Sequence, residues 1–204
     1  MENLETLKKE FSDVGFTVIG NAVDEKIANE ARELFLSADW NVVDQFRPNH
    51  FSHVFKTDDP LLPREDEPYI AKFSRSQTLE KNDRLNQIIR EYIQPILKTV
   101  SEKTIADFDI RALKMETGDL MRVHIDDYVG DVGFIWYLCR QWIWDWGGIL
   151  TCAVSEGKAE SAIPQFNQLV VINHSQRRVP HWVTPIADYA KEARLTVVGF
   201  TKPE

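Results

Sequence analysis

His124-Ile125-Asp126 sets an imidazole and a carboxylate two residues apart, and further histidines follow at His174 and His181. Side chains alternate across a strand, so Arg122, His124 and Asp126 face one way while Met121, Val123 and Ile125 face the other. Two neutral imidazoles and one ionised carboxylate occupy one face of an octahedral ion and leave three positions open, a ligand set suited to O2 chemistry at Fe(II). Either His174, which ends the apolar run Leu169-Val170-Val171-Ile172-Asn173, or His181 can complete the set. Arg122 shares the ligand face and is a candidate contact for a substrate or co-substrate carboxylate; a salt bridge with a nearby acid is the plainer alternative.

Aiming such groups into one cavity calls for a frame of strands. From residue 107 onward the chain reads as short strands separated by turns, over 108–115, 120–126, 133–139, 148–154, 168–173, 177–184 and 194–201. Ahead of them, residues 2–12 read as a helix and 15–23 as a strand rich in Phe16, Val18 and Ile19. Asp24 reads as the N-cap of a helix over 25–38 that places Ile27, Ala31, Leu34 and Phe35 on one face. Residues 82–102 form a helix with a broad apolar stripe interrupted by Pro95. Between them, residues 39–80 show no sustained period and read either as a binding loop or lid or as short strands that the pattern does not reveal; His50 and His53 read first as surface or core-edge histidines, with a substrate-loop role as the alternative, and the acidic run Arg64-Glu65-Asp66-Glu67 reads as a solvated loop. Helices first and many short strands after predict an α+β fold: an antiparallel double-stranded β-helix barrel, jelly-roll or cupin-like, with supporting N-terminal helices. The expected organisation is one domain over 1–204, helical and irregular in 1–106 and barrel in 107–204.

Composition narrows the partners. A net charge of -8 argues against a nucleic-acid groove or an anionic membrane surface, both of which need a positive field. No apolar run approaches the roughly 20 residues that cross a bilayer, and the charged start Met1-Glu2-Asn3-Leu4-Glu5 lacks the order of a signal peptide. Cys139 and Cys152 read as small buried thiols, and the expected compartment is the cytoplasm. Of the clustered tryptophans, Trp136 reads as packing; Trp142, Trp144 and Trp146 are open to packing or to shaping an entrance.

Residues 110–200 resemble the catalytic core of the Fe(II) and 2-oxoglutarate-dependent dioxygenases, and among them the prolyl hydroxylases. The likeness is carried by His124-Ile125-Asp126, Phe134-Ile135-Trp136-Tyr137-Leu138, Gly147-Gly148-Ile149-Leu150, Pro164-Gln165-Phe166-Asn167-Gln168, Arg177-Arg178-Val179-Pro180-His181 and Arg194-Leu195-Thr196. By position, the resemblance implies His124, Asp126 and His181 as iron ligands, choosing His181 over His174. It implies Arg194 as partner of the distal carboxylate of 2-oxoglutarate, a match for a guanidinium fork, with Thr196 and Tyr137 as neighbouring hydrogen-bonding groups. The implied cofactors are Fe(II), 2-oxoglutarate and O2, with ascorbate as a candidate reductant. The implied reaction hydroxylates an unactivated C–H bond, and Asp126 favours hydroxylation over halogenation, since a small residue there would free a site for halide. The expected substrate is a prolyl residue of a peptide or protein; a free amino acid or small metabolite is the alternative. A non-catalytic cupin-like metal- or ligand-binding or sensing protein is the alternative of another class. Met115 stands where prolyl hydroxylases often carry a tyrosine, and the interval from His181 to Arg194 is longer than in some relatives.

Overall fold

The computed structural model describes residues 3–48, 68–126, 130–155, 157–175 and 179–202; His50, His53, the run at 64–67, Arg177 and Arg178 lie outside the described residues. Helix α1 (Leu4–Asp13) starts at Asn3, whose side chain accepts the Glu5 N–H, and buries Leu7 and Phe11. Strand β1 (Phe16–Ile19) leads to α2 (Glu25–Leu36), capped by Asp24 as its sequence predicts and burying Ala28, Ala31 and Phe35. The stretch that shows no period contains two strands, β2 (Asn41–Arg47) and β3 (Tyr69–Arg75), paired antiparallel along their whole length.

A short helix α3 (Gln77–Glu80) precedes the long predicted helix, which is a rod in three parts: α4 (Asp83–Ile88), a π-helical turn (Ile89–Ile93) and α5 (Gln94–Ser101). The cause of the break is Pro95. Its ring cannot donate to the carbonyl four residues back, and widening the turn just before it carries the rod past that gap.

The remaining strands are β4 (Phe108–Met115), β5 (Leu120–His124), β6 (Val132–Tyr137), β7 (Leu150–Ser155), β8 (Lys158–Ala162), β9 (Leu169–Asn173), β10 (His181–Val183) and β11 (Arg194–Thr201). They join in the order β1-β9-β6-β11-β4-β3-β5-β10-β7-β8, with β2 beside β3 and every pairing antiparallel. Strand β3 carries the ribbon around: Ser74 and Arg75 pair with β4, while Ala71 and Lys72 pair with β5. This is the double-stranded β-helix core with supporting helices. Among the described residues no helix is long and apolar enough to cross a membrane.

Alternation along β6 and β11 separates two packed regions. Phe134, Trp136, Leu195 and Val197 join Phe35, Leu85 and Ile93 beneath the helices, so Trp136 packs, donating its indole N–H to Asn167. Ile135 and Tyr137 turn instead into the barrel beside Met115, Cys152 and Val183. Both faces of β6 are therefore covered, which explains its unbroken run of buried residues. Arg194 and Thr196 fall on the barrel side of β11, opposite Leu195. Cys139 and Cys152 are buried and unbridged.

Candidate metal centre

Strands β5 and β10 run antiparallel with His124 directly opposite His181, and the two rings lie 4.3 Å apart between centroids. In each, Nδ1 lies 2.8 Å from a backbone carbonyl two residues earlier, Arg122 for His124 and Val179 for His181. A carbonyl only accepts, so Nδ1 carries the proton in both rings and Nε2 presents its lone pair. The predicted strand over 120–126 ends early, at His124, and Asp126 sits beyond it, off the ladder. Its carboxylate reaches both rings from there, with Oδ1 3.9 Å from His124 Nε2 and Oδ2 3.3 Å from His181 Nε2. These three side chains bring their donor atoms within 4.8 Å of one another, the one such cluster of metal-ligating residues among those described. His174 falls outside it: its Nε2 is 3.9 Å from Asp126 Oδ2, on a ring wholly enclosed by protein.

Burial would raise the Asp126 carboxyl, but His181, His124 and His174 outweigh it and hold the group well below the usual carboxylate range. For His181, burial disfavours the cation, and Asp126 with the Val179 carbonyl more than offsets it, so the imidazole rises above 6.5. In metal-free protein the His181 contribution to stability is thus fully present below pH 6.5 and lost as pH rises through the raised value. The Asp126 contribution is present above 3.8 and lost as pH falls through the depressed value. We therefore expect the calorimetric melting temperature in EDTA to decline as pH rises above 6.5. Mn(II) binding should tighten across the same window, because the ion displaces the His181 proton. A melting temperature and an affinity both flat across that window would contradict the pairing.

The second part of the site hangs on β11. Register places Arg194 opposite Met115 and Thr196 opposite Tyr137. The Arg194 guanidinium, 2% exposed, donates from Nε to the Gly148 carbonyl at 2.9 Å and from Nη2 to the Tyr137 hydroxyl at 3.3 Å. Its Nη1 points at Met115 Sδ, 3.5 Å away, and its Cζ lies 5.0 Å from the Tyr137 ring centroid. Burial pushes the Tyr137 phenol up to about 12 against the pull of Arg194, so it stays a hydrogen-bond donor at any working pH. The Thr196 hydroxyl is buried with no hydrogen-bond partner among the described residues. Among the described residues no carboxylate lies within salt-bridge range of Arg194. An enclosed cation without a counter-charge costs several kcal/mol. This pocket is therefore built to receive a carboxylate, and the residues fit the distal end of 2-oxoglutarate.

The Gly147-Gly148 turn holds the arginine in place. Both glycines have positive φ; a Cβ on Gly147 would come within 1.9 Å of the Pro185 carbonyl oxygen, and one on Gly148 within 3.1 Å of Arg194 Cδ. Trp142 donates its indole N–H to the Gly147 carbonyl and stacks edge-on against Trp146, so both rings brace the turn, while Trp144 is exposed.

A cavity of about 540 Å³ takes in the triad and Arg194. Its apolar wall includes Met121, Ile135, Leu150 and Val183; its polar wall includes Asn41, Gln45, Arg75, Gln77 and Arg111. Arg122 is not in that wall: its Nη1 donates to the Pro68 carbonyl at 2.7 Å. The sequence reading overlooked the β2 and β3 side chains, and with them Tyr69, whose ring lies edge-on to His124 at 5.8 Å. Burial first, then Asp126, pushes the Tyr69 phenol up to about 12. No local signal marks Tyr69; only the pairing of β3 with β5 brings it near the triad.

Residues 110–202 match the sequence model of the 2OG-Fe(II) oxygenase superfamily. In fold, the chain is similar to a Pseudomonas putida prolyl-4-hydroxylase, with a TM-score of 0.66 and 17% identity over 98% of this chain and 99% of that one. It is similar as well to a Trichoplax adhaerens prolyl hydroxylase solved with a hypoxia inducible factor oxygen degradation domain peptide, with a TM-score of 0.67 and 18% identity over 98% and 88%. A third likeness is to SnoN, a non-heme α-ketoglutarate-dependent epimerase from nogalamycin biosynthesis, with a TM-score of 0.65 and 12% identity over 98% and 85%. A comparison with curated protein sequences found no match.

Proposed function

We propose that this chain, whose residues 110–202 match the sequence model of the 2OG-Fe(II) oxygenase superfamily, hydroxylates a prolyl residue of a peptide or protein. In this reading the chain is a 2-oxoglutarate-dependent oxygenase, an oxidoreductase whose cofactors are Fe(II), 2-oxoglutarate and O2, as the match over residues 110–202 and the His124-Asp126-His181 group support. Bound together, they convert a C–H bond to C–OH while 2-oxoglutarate leaves as succinate and CO2. In this reading His124 and His181 offer Nε2 and Asp126 its carboxylate to the metal. Arg194 binds the distal carboxylate of 2-oxoglutarate, with the Tyr137 phenol and Thr196 hydroxyl beside it. Met121, Leu150 and Val183 keep water from the reacting face.

What supports a peptide above a small metabolite is the polar wall of the cavity. Asn41, Gln45 and Gln77 supply side-chain amides, which donate and accept as a polypeptide backbone requires, and two of them stand on β2, a strand paired only with β3 among the described residues. The hydroxylase from Trichoplax was solved with a peptide, which agrees with this choice. The likeness to SnoN shows that the same fold accompanies other chemistry, so substrate choice rests on this wall and not on the barrel.

The test is Fe(II)- and 2-oxoglutarate-loaded enzyme in air, presented with a library of proline-centred peptides and, separately, with the free amino acids. Succinate and a mass gain of one oxygen on proline are read together. Oxygen transfer to peptidyl proline supports the proposal; transfer only to a free amino acid overturns it and leaves the oxygenase assignment standing.

A further inference from the structure

The position of Asp126 depends on more than the strand that precedes it. It stands two residues beyond the end of β5, so no ladder hydrogen bond fixes the backbone that carries this carboxylate. A metal-bound carboxylate has lone pairs left over, and its orientation depends on what meets them. The third imidazole around this group is His174.

We propose that His174 is a positioning residue for the metal carboxylate, holding Asp126 through Oδ2, the oxygen that His181 also faces. This rests on the reading of the triad as a metal site. His174 directly follows β9, and its backbone N–H is anchored to the Asp131 carbonyl at 2.8 Å. Its side chain is fully enclosed, and Nε2 faces Asp126 Oδ2 at 3.9 Å. That distance closes to a hydrogen bond with a small shift of a carboxylate that is off the ladder. His174 is absent from the group whose donor atoms cluster within 4.8 Å, so it supports the ligand set without joining it.

Gly133 gives independent evidence that room is kept for this ring. Its backbone is not in the left-handed region, and a glycine inside a strand is less favourable than alanine unless space demands it. A Cβ there would lie 2.7 Å from His174 Nε2 and 3.2 Å from its Cδ2. The glycine is explained by the imidazole packed against it.

The experiment titrates Mn(II), without 2-oxoglutarate, into EDTA-stripped protein and follows the loss of the free-ion EPR signal, alongside thermal unfolding of the same metal-free samples. For His174→Ala we expect Mn(II) affinity to fall by about 10- to 100-fold, the usual consequence of removing a group that orients a metal ligand. His174→Gln, which restores an N–H near the Nε2 position, should recover most of that loss, and Gly133→Ala, which displaces the ring, should reproduce part of it. If His174→Ala unfolds, the other two variants decide the matter. Affinities within twofold of wild type in folded variants, whatever the change in melting temperature, overturn the proposal. Wild-type protein that fails to bind Mn(II) overturns the metal-site reading, and this inference with it.

Discussion

Replacing Arg194 by methionine is expected to raise the dissociation constant for 2-oxoglutarate by roughly 10²- to 10³-fold while leaving Mn(II) binding by the triad within a factor of a few. The size follows from the enclosure of the guanidinium. Truncating one partner of a buried, hydrogen-bonded charge pair costs about 2–5 kcal/mol, and each ~1.4 kcal/mol is tenfold in affinity. Arg194 is 2% exposed and held by the Gly148 carbonyl and Tyr137 hydroxyl, so its place is shielded from bulk solvent. Arg194→Lys keeps the charge but loses the fork and should recover only part of the affinity. The co-substrate-free protein gives a second readout with the opposite sign: removing a cation that has no counter-charge within salt-bridge range should leave its melting temperature unchanged or raised. Isothermal titration of 2-oxoglutarate into Mn(II)-loaded protein measures the first effect and calorimetry the second. An unchanged dissociation constant would remove Arg194 from the co-substrate pocket.

The same residue shows what sequence makes legible. Strand β11 and its partner β4 were readable to the residue, because period-2 runs of apolar side chains lie between clear turn signals. Strands β2 and β3 were not. On β2 the large apolar side chains Val42 and Phe46 are the exposed ones, so no inward-facing stripe appears in its pattern. Strand β8, Lys-Ala-Glu-Ser-Ala, contains no strong strand former and, among the described residues, is paired only with β7. The metal ligands divide in the same way. His124 and Asp126 stand two residues apart and announce themselves. Choosing between His174 and His181 depends on the register of β10 against β5, a relation across 57 residues that no local window contains.

The removal of Asp126 has the largest expected consequence for the metal. Structural zinc sites with four ligands gain about 10–16 kcal/mol, so one ligand of a small set is worth roughly 3–4 kcal/mol, or about 10²- to 10³-fold in affinity. Asp126→Ala should weaken Mn(II) binding by that order, beyond the loss expected for His174→Ala. The carboxylate is also the only anion of the triad, and its loss leaves two imidazoles 4.3 Å apart with nothing to balance the ion. A second signature separates this from unfolding. Without Asp126 only the Val179 carbonyl is left to raise His181 against burial, the largest influence on it, so His181 loses its raised value. The decline in melting temperature above pH 6.5 expected of the metal-free wild type should then flatten in the variant. Formate, supplied at millimolar concentration, should restore part of the affinity by filling the emptied ligand position. If the variant binds Mn(II) as wild type does, the ion is held elsewhere and the triad is not its site. If affinity falls but the pH trend persists, the proton responsible for that trend belongs to a group other than His181, and the electrostatic account of the pair fails while the metal assignment stands.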